Sequence, residues 1–432
     1  MTARGRGAGL STATLAALVV ANMIGAGVFT TSGFALGDLG SPWRVLAAWL
    51  AGGVLATTGA LCYGSLARLM PGSGGEYLYL SRAIHPLAGF VAGWVSLLAG
   101  FTGAIAFAGL TFAAYALPGS TGTMAASAVA TAAIAFAALL HALRVRQGAW
   151  VQNAAVALKL VLIAAFCIGA VAAPGRWEGL AALAAGAYEP PAFSIAAFAL
   201  TLMWISFSYA GFNAAVYIAG EVPSAAARVP RALVIGTLAT TLIYLVLNAV
   251  FVLAPPFESV AFEQDVAAIA ARAVGGEGLA ALVRVVVALA LLTSVSAMIM
   301  VGPRVYAKMA DDGLMPRILR FQGEAPTAAV LAQAALAAVV VWIAGLRELL
   351  SYLGFTLGLS TAAAVACVFV LARRAPGVRP ALPGYPWAPA VFIASTLVFA
   401  ALAATQSPAE MIAALVTIGS GALLYLIRVK LR

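Results

Sequence analysis

Apolar stretches of bilayer length recur along this chain, separated by short polar connections. A helix that crosses a bilayer needs about 20 predominantly apolar residues. Twelve segments fit that pattern, approximately 10–36, 43–67, 87–117, 122–142, 149–173, 193–219, 232–256, 279–303, 327–345, 349–372, 387–405 and 409–427. Two of them are interrupted in the same way. LAALVVANMIGAGVFTTSGF, residues 15–34, carries Gly25 and Gly27 where the helix should be continuous, and LTLMWISFSYAGFNAAVYIAG, residues 200–220, carries Ser206, Ser208, Gly211 and Asn213 in the corresponding middle. Unwound backbone survives in a membrane only where it lines a cavity or is buried in protein. A pair of broken spans at matching places in two halves points to the binding site of a secondary transporter. The competing reading of each glycine taken alone is close helix packing through small residues.

One break lies five spans from the other, so the two halves start on opposite sides of the membrane. The expected fold is an all-α integral membrane protein of twelve transmembrane helices. It is a five-plus-five inverted repeat with helices 1 and 6 broken. Residues 1–432 form one transporter domain, with repeats at 9–173 and 192–373 and helices 11 and 12 at 386–428. Two connections stand out. Residues 68–86 are too polar and glycine-rich to span, and Tyr77–Ile84 is expected as a short interfacial helix. Residues 257–277 hold Glu258, Glu263, Asp265 and Glu277 and are expected as a solvated outer loop.

Composition sharpens the class. The chain is 64% hydrophobic and 9% charged, far from soluble proteins. The first apolar segment is too long for a signal peptide and has no A-x-A exit. Lys and Arg cluster at one set of span ends, leaving only Arg44, Arg176, Arg272, Arg284 and Arg347 on the other side and Lys159 within a span. The positive-inside rule then places both termini in the cytoplasm of a multi-pass protein of the cytoplasmic (inner) membrane. The net charge of +10 is this topological signal together with attraction to lipid, and gives no reason to expect nucleic acid. Cys62, Cys167 and Cys367 are scattered in apolar surroundings and match neither a disulfide framework nor a metal site. No cofactor and no metal is expected.

The breaks supply the candidate chemistry. A broken helix offers free N–H groups at one half-helix start and free carbonyls at the other half-helix end. Amides at Ala26, Gly27 and Val28 suit a carboxylate, and carbonyls near Phe207, Ser208 and Ala210 suit an ammonium. An α-amino acid carries both. All 14 Asp and Glu residues fall in connections or at span ends, whereas a carrier of cations is expected to keep an acid at mid-membrane. Lys159, in VQNAAVALKLVLIAAF, is costly within a span and implies a role, with freed backbone carbonyls as its partners and proton exchange as one use. Snorkelling to the interface is its alternative. His85 and His141 sit at span ends and read as capping or solvated groups. Glu76, Glu221, Asp311 and Asp312 share a face with several arginines, as an inner gate or as ordinary interfacial charges. Phe207 reads equally as a lid or as a core aromatic. Ala210 and Gly211 suggest room for an apolar side chain.

At these residues the sequence resembles the amino acid–polyamine–organocation superfamily of permeases. MIGAGVF (23–29) resembles its first-helix G-[SA]-G signature, and PGSGGEYLYL (71–80) the loop after its second helix. FSYAGFNAAVYIAGEVPSAAARVPRAL (207–233) resembles its sixth helix and exit loop, and GPRVYAKMADDGLMP (302–316) the segment leaving its eighth. The string ending at Asn213 is similar to the branch holding the light chains of heteromeric amino acid exchangers and their bacterial relatives. The resemblance implies alternating access around helices 1 and 6. Ile24, Gly25, Ala26 and Gly27 match the carboxylate-binding break, and Phe207, Ser208 and Ala210 the ammonium-binding carbonyls. Phe207 matches the aromatic gate of some members. Lys159 matches a lysine that stands where sodium-coupled relatives bind the ion, and in some members it is linked to proton coupling. Two departures are visible. Ala26 replaces the common serine, and Gly302–Pro303 stands where small hydroxyl residues are usual, which suggests a kink.

The expected activity is secondary active transport of neutral L-amino acids, proton-coupled and sodium-independent. Its partners are the amino acid, protons and the lipid bilayer. The alternatives are exchange or export, or a cationic amino acid or polyamine permease. An enzyme or a channel is disfavoured, because no catalytic constellation lies at one depth.

Overall fold

The computed structural model describes residues 11–72, 74–120, 122–142, 149–173, 176–186, 188–311, 313–320, 326–374 and 382–430. No strand occurs among the described residues. The chain opens with α1 (Thr12–Met23), capped by the Ser11 hydroxyl on the Thr14 amide, and α2 (Ala26–Leu39), which turns 47° away from it. Pro42 starts α3 (Pro42–Leu69), where its missing N–H costs nothing. The segment expected as a short helix after α3 is α4 (Gly75–Ala83). His85 caps α5 (Pro86–Val95) by accepting from the Leu87 amide at 3.1 Å. A π-helical stretch, Ser96–Gly103, then runs into α6 (Ala104–Ala116).

The next helices are α7 (Met124–Ala142), α8 (Ala149–Val171) and the short α9 (Glu178–Ala184). The second broken segment is α10 (Ile195–Ser208), a turn, and a 3-10 helix over Ala214–Glu221. Then come α11 (Ala225–Leu253), α12 (Val266–Asp311), α13 (Thr327–Ile343), α14 (Leu346–Arg374), α15 (Trp387–Ala403) and α16 (Pro408–Lys430). Among the described residues seven helices are long and apolar enough to cross a membrane, or eight when the bent pair α1–α2 counts as one span. Shorter apolar helices occupy other predicted segments, among them Ile195–Ser208, Thr327–Ile343 and Trp387–Ala403.

Two local expectations change. The backbone of α12 keeps helical torsions through Gly302 and Pro303, and the residue that leaves the helical region is Gly276, with φ 74°. Beside Pro303, the Arg304 guanidinium donates to the Met300 carbonyl of its own helix at 2.6 Å. The 257–277 connection is also more than a solvated loop. Its Phe262 amide donates to the Gly33 carbonyl of α2 at 2.8 Å, Phe257 stacks on Tyr188 at 4.5 Å, and Asp265 pairs with Arg284 at 2.8 Å. At the same end of the bundle Arg347 holds Asp38 through both carboxylate oxygens, at 2.9 and 2.7 Å, and lies over the Trp204 ring at 5.2 Å. That arginine therefore ties α2, α10 and α14 together.

The seal over α2 is tight enough to test. A β-carbon on Gly33 would lie 1.8 Å from the Glu263 carbonyl oxygen. Gly33→Ala should therefore destabilise by ~1–3 kcal/mol. The measurable outcome is a lower thermal midpoint with faster proteolysis within 257–265, and an unchanged midpoint would contradict the packing.

Candidate functional site

The first break leaves two half-helix ends face to face. The Ile24 amide still bonds back to the Val20 carbonyl at 3.1 Å, and then the chain turns extended at Gly25, with φ −125° and ψ −156°. Gly25 is the N-cap of α2 and has no side chain to cap its amides, so the first amides of α2 keep their N–H groups for another acceptor. The carbonyl end is filled from elsewhere. Lys159 of α8 is 7% exposed, and its ammonium donates to the Ile24 carbonyl at 2.6 Å, with the Ala21 carbonyl at 3.5 Å. It forms no ion pair among the described residues. A cation at the carbonyl end of α1 complements that helix's dipole. The N-terminal end of α2 remains positive, so the local field favours an anionic group there.

The second break packs directly on the first. A β-carbon on Gly27 would lie 2.4 Å from the Ser208 hydroxyl and 2.9 Å from its α-carbon, so α2 and α10 approach to backbone distance only because Gly27 has no side chain. Thr31 and Ser208 exchange a hydroxyl hydrogen bond at 3.0 Å. The Phe207 carbonyl accepts from the Ala210 amide at 2.9 Å. The fully buried Tyr244 of α11 aims its hydroxyl at both breaks, 2.5 Å from the Met23 carbonyl and 2.9 Å from the Ser208 carbonyl. One phenolic proton thus serves two carbonyls. Trp49 and Tyr209 each meet the Tyr244 ring edge to face, and Trp49 donates to Ser32, which in turn donates to Asn248.

The sequence-predicted residues are therefore brought together unevenly. Ile24, Gly25, Ala26, Gly27, Ser208 and Lys159 converge. Phe207 is half-buried and meets Phe107 edge-on at 5.2 Å. Ala210 lies in the turn that follows. Gly211 has φ +104°, and a β-carbon there would lie 2.9 Å from the Asn22 carbonyl oxygen, so it is a contact with α1 rather than open room. Asn213 points away from the breaks and donates to the buried Glu76 at 2.5 Å. Tyr63 donates to the same carboxylate at 2.8 Å and Tyr217 closes the other oxygen, so Glu76 is held by neutral donors. Asp311 sits 3.9 Å from Arg320, His141 meets Ser296 at 2.9 Å, and Asp312 lies outside the described residues.

Sequence reasoning missed Tyr244, Thr31 and the Glu76 clasp. Asn248, a polar amide inside an apolar helix, carries a signal in the sequence that points toward this network. Among the described residues no cluster of three or more His, Cys, Asp and Glu is placed to hold a metal ion. Cys62 and Cys367 are buried, and Cys167 is half-buried.

Two facing broken helices can present amides to one ligand group and carbonyls to another. Comparison with known proteins names the family that uses such a chain. The family model described as amino acid permease matches residues 10–421. The chain belongs to the amino acid permease family. Within the amino acid–polyamine–organocation superfamily its relatives include the serine/threonine exchanger of Bacillus subtilis (strain 168), 26% identical over 388 residues, 88% of this chain and 87% of that protein. The b(0,+)-type amino acid transporter 1 of Mus musculus is 32% identical over 254 residues, 56% of this chain and 50% of that protein. The large neutral amino acids transporter small subunit 2 of Homo sapiens is 26% identical over 382 residues, 84% of this chain and 69% of that protein. The chain spans about half the length of the b(0,+)-type relatives it matches. These relatives are named as transporters and exchangers, not as enzymes.

Glycines at the break separate close packing from open space. A β-carbon on Gly25 would have only the Met23 carbonyl nearby, at 3.9 Å. Gly25→Ala should leave the thermal midpoint within ~0.5 kcal/mol of the parent, whereas Gly27→Ala should cost ~1–3 kcal/mol by forcing α2 from α10. Equal midpoints for the two variants would refute the geometry. Tyr244→Phe should cost ~1–3 kcal/mol, because it leaves two buried carbonyls without their shared donor. The same thermal measurement checks it.

Proposed function

We propose that this permease is a sodium-independent, proton-coupled carrier of neutral L-amino acids that works by alternating access. On this reading it crosses the cytoplasmic membrane twelve times, with both termini in the cytoplasm and an inverted repeat of five helices. The ligand's carboxylate is held by the amides of Ala26, Gly27 and Val28, with Ile24 and Gly25 shaping the approach. Its ammonium is held by the free lone pairs of the carbonyls around Phe207, Ser208 and Ala210. Phe207 closes over the bound amino acid. Lys159 is the coupling group.

The observation that carries the proposal is the pair of opposed half-helix ends, with the α1 carbonyl end already occupied by a tethered cation. A site built of one positive and one negative helix end matches a zwitterion and requires no charged side chain in contact with it. Lys159 lies where a mobile cation would otherwise be needed, which supports independence from sodium. Losing its proton would release the Ile24 carbonyl and loosen α1 from α8, a differential contact of the kind that couples a proton to a conformational equilibrium. Exchange is the second reading. It is favoured by the Bacillus subtilis relative, which is named an exchanger and aligns over most of both chains.

Uptake of a labelled neutral amino acid mixture into liposomes, in sodium-free buffer under an inward proton gradient, tests both. Accumulation in empty vesicles is expected, as is its loss in Lys159→Ala with residual substrate binding retained. Uptake confined to vesicles preloaded with amino acid would instead establish exchange. Unchanged gradient-driven accumulation in Lys159→Ala would refute the coupling role.

A further inference from the structure

A cavity of about 260 Å³ lies away from the breaks, between the last turns of α3 and the first turns of α11. Its wall is divided by chemistry. Leu61, Val234 and Ile235 line one part, and Arg68, Arg231 and Ser65 line the other. Pro230 and Gly64 form the floor where the two helices touch, with only 3.0 Å between the Pro230 β-carbon and the position of a β-carbon on Gly64.

Three features make this a site for an anion carried on an apolar body. First, both arginines are exposed, and neither guanidinium is bonded to a described residue. Second, Ser65 is 2% exposed, yet its hydroxyl has no hydrogen-bond partner among the described residues. A serine within a helix ordinarily returns its proton to a carbonyl one turn back, and a buried hydroxyl left without a partner is costly. Third, the apolar wall continues along the helices as exposed side chains. Ile235 is 53% exposed, Leu238 52% and Leu242 66% on α11, with Val54 59% exposed on α3. Two helices long and apolar enough to span the membrane therefore form a lipid-facing stripe that ends in two arginines and a hydroxyl.

We propose that this cavity binds one anionic glycerophospholipid. The phosphate sits between Arg68 and Arg231 and accepts the Ser65 hydroxyl, and an acyl chain lies along Ile235, Leu238 and Leu242. Basic pockets between membrane helices recognise anionic headgroups in this way, and arginine suits phosphate through paired N–H donors. Assignment of the site to the cytoplasmic leaflet rests on the orientation proposed above. The binding itself does not.

The test uses the purified full-length chain in detergent, which makes it independent of orientation in a membrane. Native mass spectrometry would compare retained phosphatidylglycerol with phosphatidylcholine. A preference of about 10–30-fold is expected from two arginines. Arg68→Gln/Arg231→Gln should abolish it, while the charge-matched control Arg317→Gln/Arg373→Gln keeps it. Ser65→Ala, which removes one oxygen and leaves both charges, should weaken the preference several-fold and stands in if the double variant is not monodisperse. Absence of any preference in the parent, or its persistence in the pocket variants, overturns the proposal. Complete displacement of the lipid by millimolar glycerol phosphate would also overturn it, because the apolar stripe would then contribute nothing. A site that binds as expected in a protein found to be oppositely oriented would leave the proposal standing and refute only the topology.

Discussion

Everything near the centre of this bundle depends on how unwound backbone is satisfied where water is scarce. A helix broken inside an apolar bundle exposes carbonyls that would cost several kcal/mol each if left alone. Here the donors come from other helices. Lys159 of α8 reaches the Ile24 carbonyl, and Tyr244 of α11 reaches the carbonyls of Met23 and Ser208. The break in α1–α2 is therefore not a local feature of its glycines. It is held open by two side chains far away in sequence, and any motion of α1 must exchange or release those bonds.

The same logic explains why α2 and α10 are packed so closely. Gly27 places the α2 backbone against Ser208, the Thr31 hydroxyl joins Ser208, and Trp204 bridges to Ser351 of α14 at 2.8 Å. At the Asp38 end, Arg347 reaches both α2 and the Trp204 ring of α10. These contacts unite the two half-helices that follow and precede the breaks. The α1 segment is tied at its end to α8 through Lys159, which reaches the Ile24 and Ala21 carbonyls, and to α11 through Tyr244. Along its length α1 also packs tightly on α11, where a β-carbon on Gly236 would lie 2.7 Å from the Val19 β-carbon, so any motion of α1 must carry or slide past α11.

Much of this was legible in the sequence because it appears there as an anomaly. Glycines and hydroxyls within apolar spans, and a lysine among leucines and valines, contradict the requirement of a continuous apolar helix, so Gly25, Gly27, Ser208 and Lys159 announce themselves. Tyr244 does not. A tyrosine in an apolar span has the composition of a core aromatic, and only the fold shows that its hydroxyl meets two freed carbonyls. Beside arginines in the sequence, Glu76 reads either as part of an inner gate or as an ordinary interfacial charge, yet Tyr63, Asn213 and Tyr217 clasp it, which no linear spacing encodes. Gly211 shows the limit from the other side. A missing side chain signals either space or contact, and the contact with Asn22 is tertiary information.

The two breaks also differ in what they leave available, and the difference bears on which ligand group goes where. At the α1 end the negative helix terminus is met by a full, covalently tethered charge at 2.6 Å. At the α10 end the Ser208 carbonyl is met by a neutral hydroxyl at 2.9 Å, whose proton is shared with Met23. A charge-assisted hydrogen bond is about twice as strong as a neutral one, so an incoming ammonium competes poorly for the first terminus and well for the second. Each carbonyl keeps a second lone pair, so the ammonium need not displace Tyr244 to bind near Ser208. The amides of α2 meanwhile have no side-chain cap at Gly25. On the binding mode proposed above, a zwitterion would be oriented by what the protein has already filled, with its carboxylate toward α2 and its ammonium toward the end of α10.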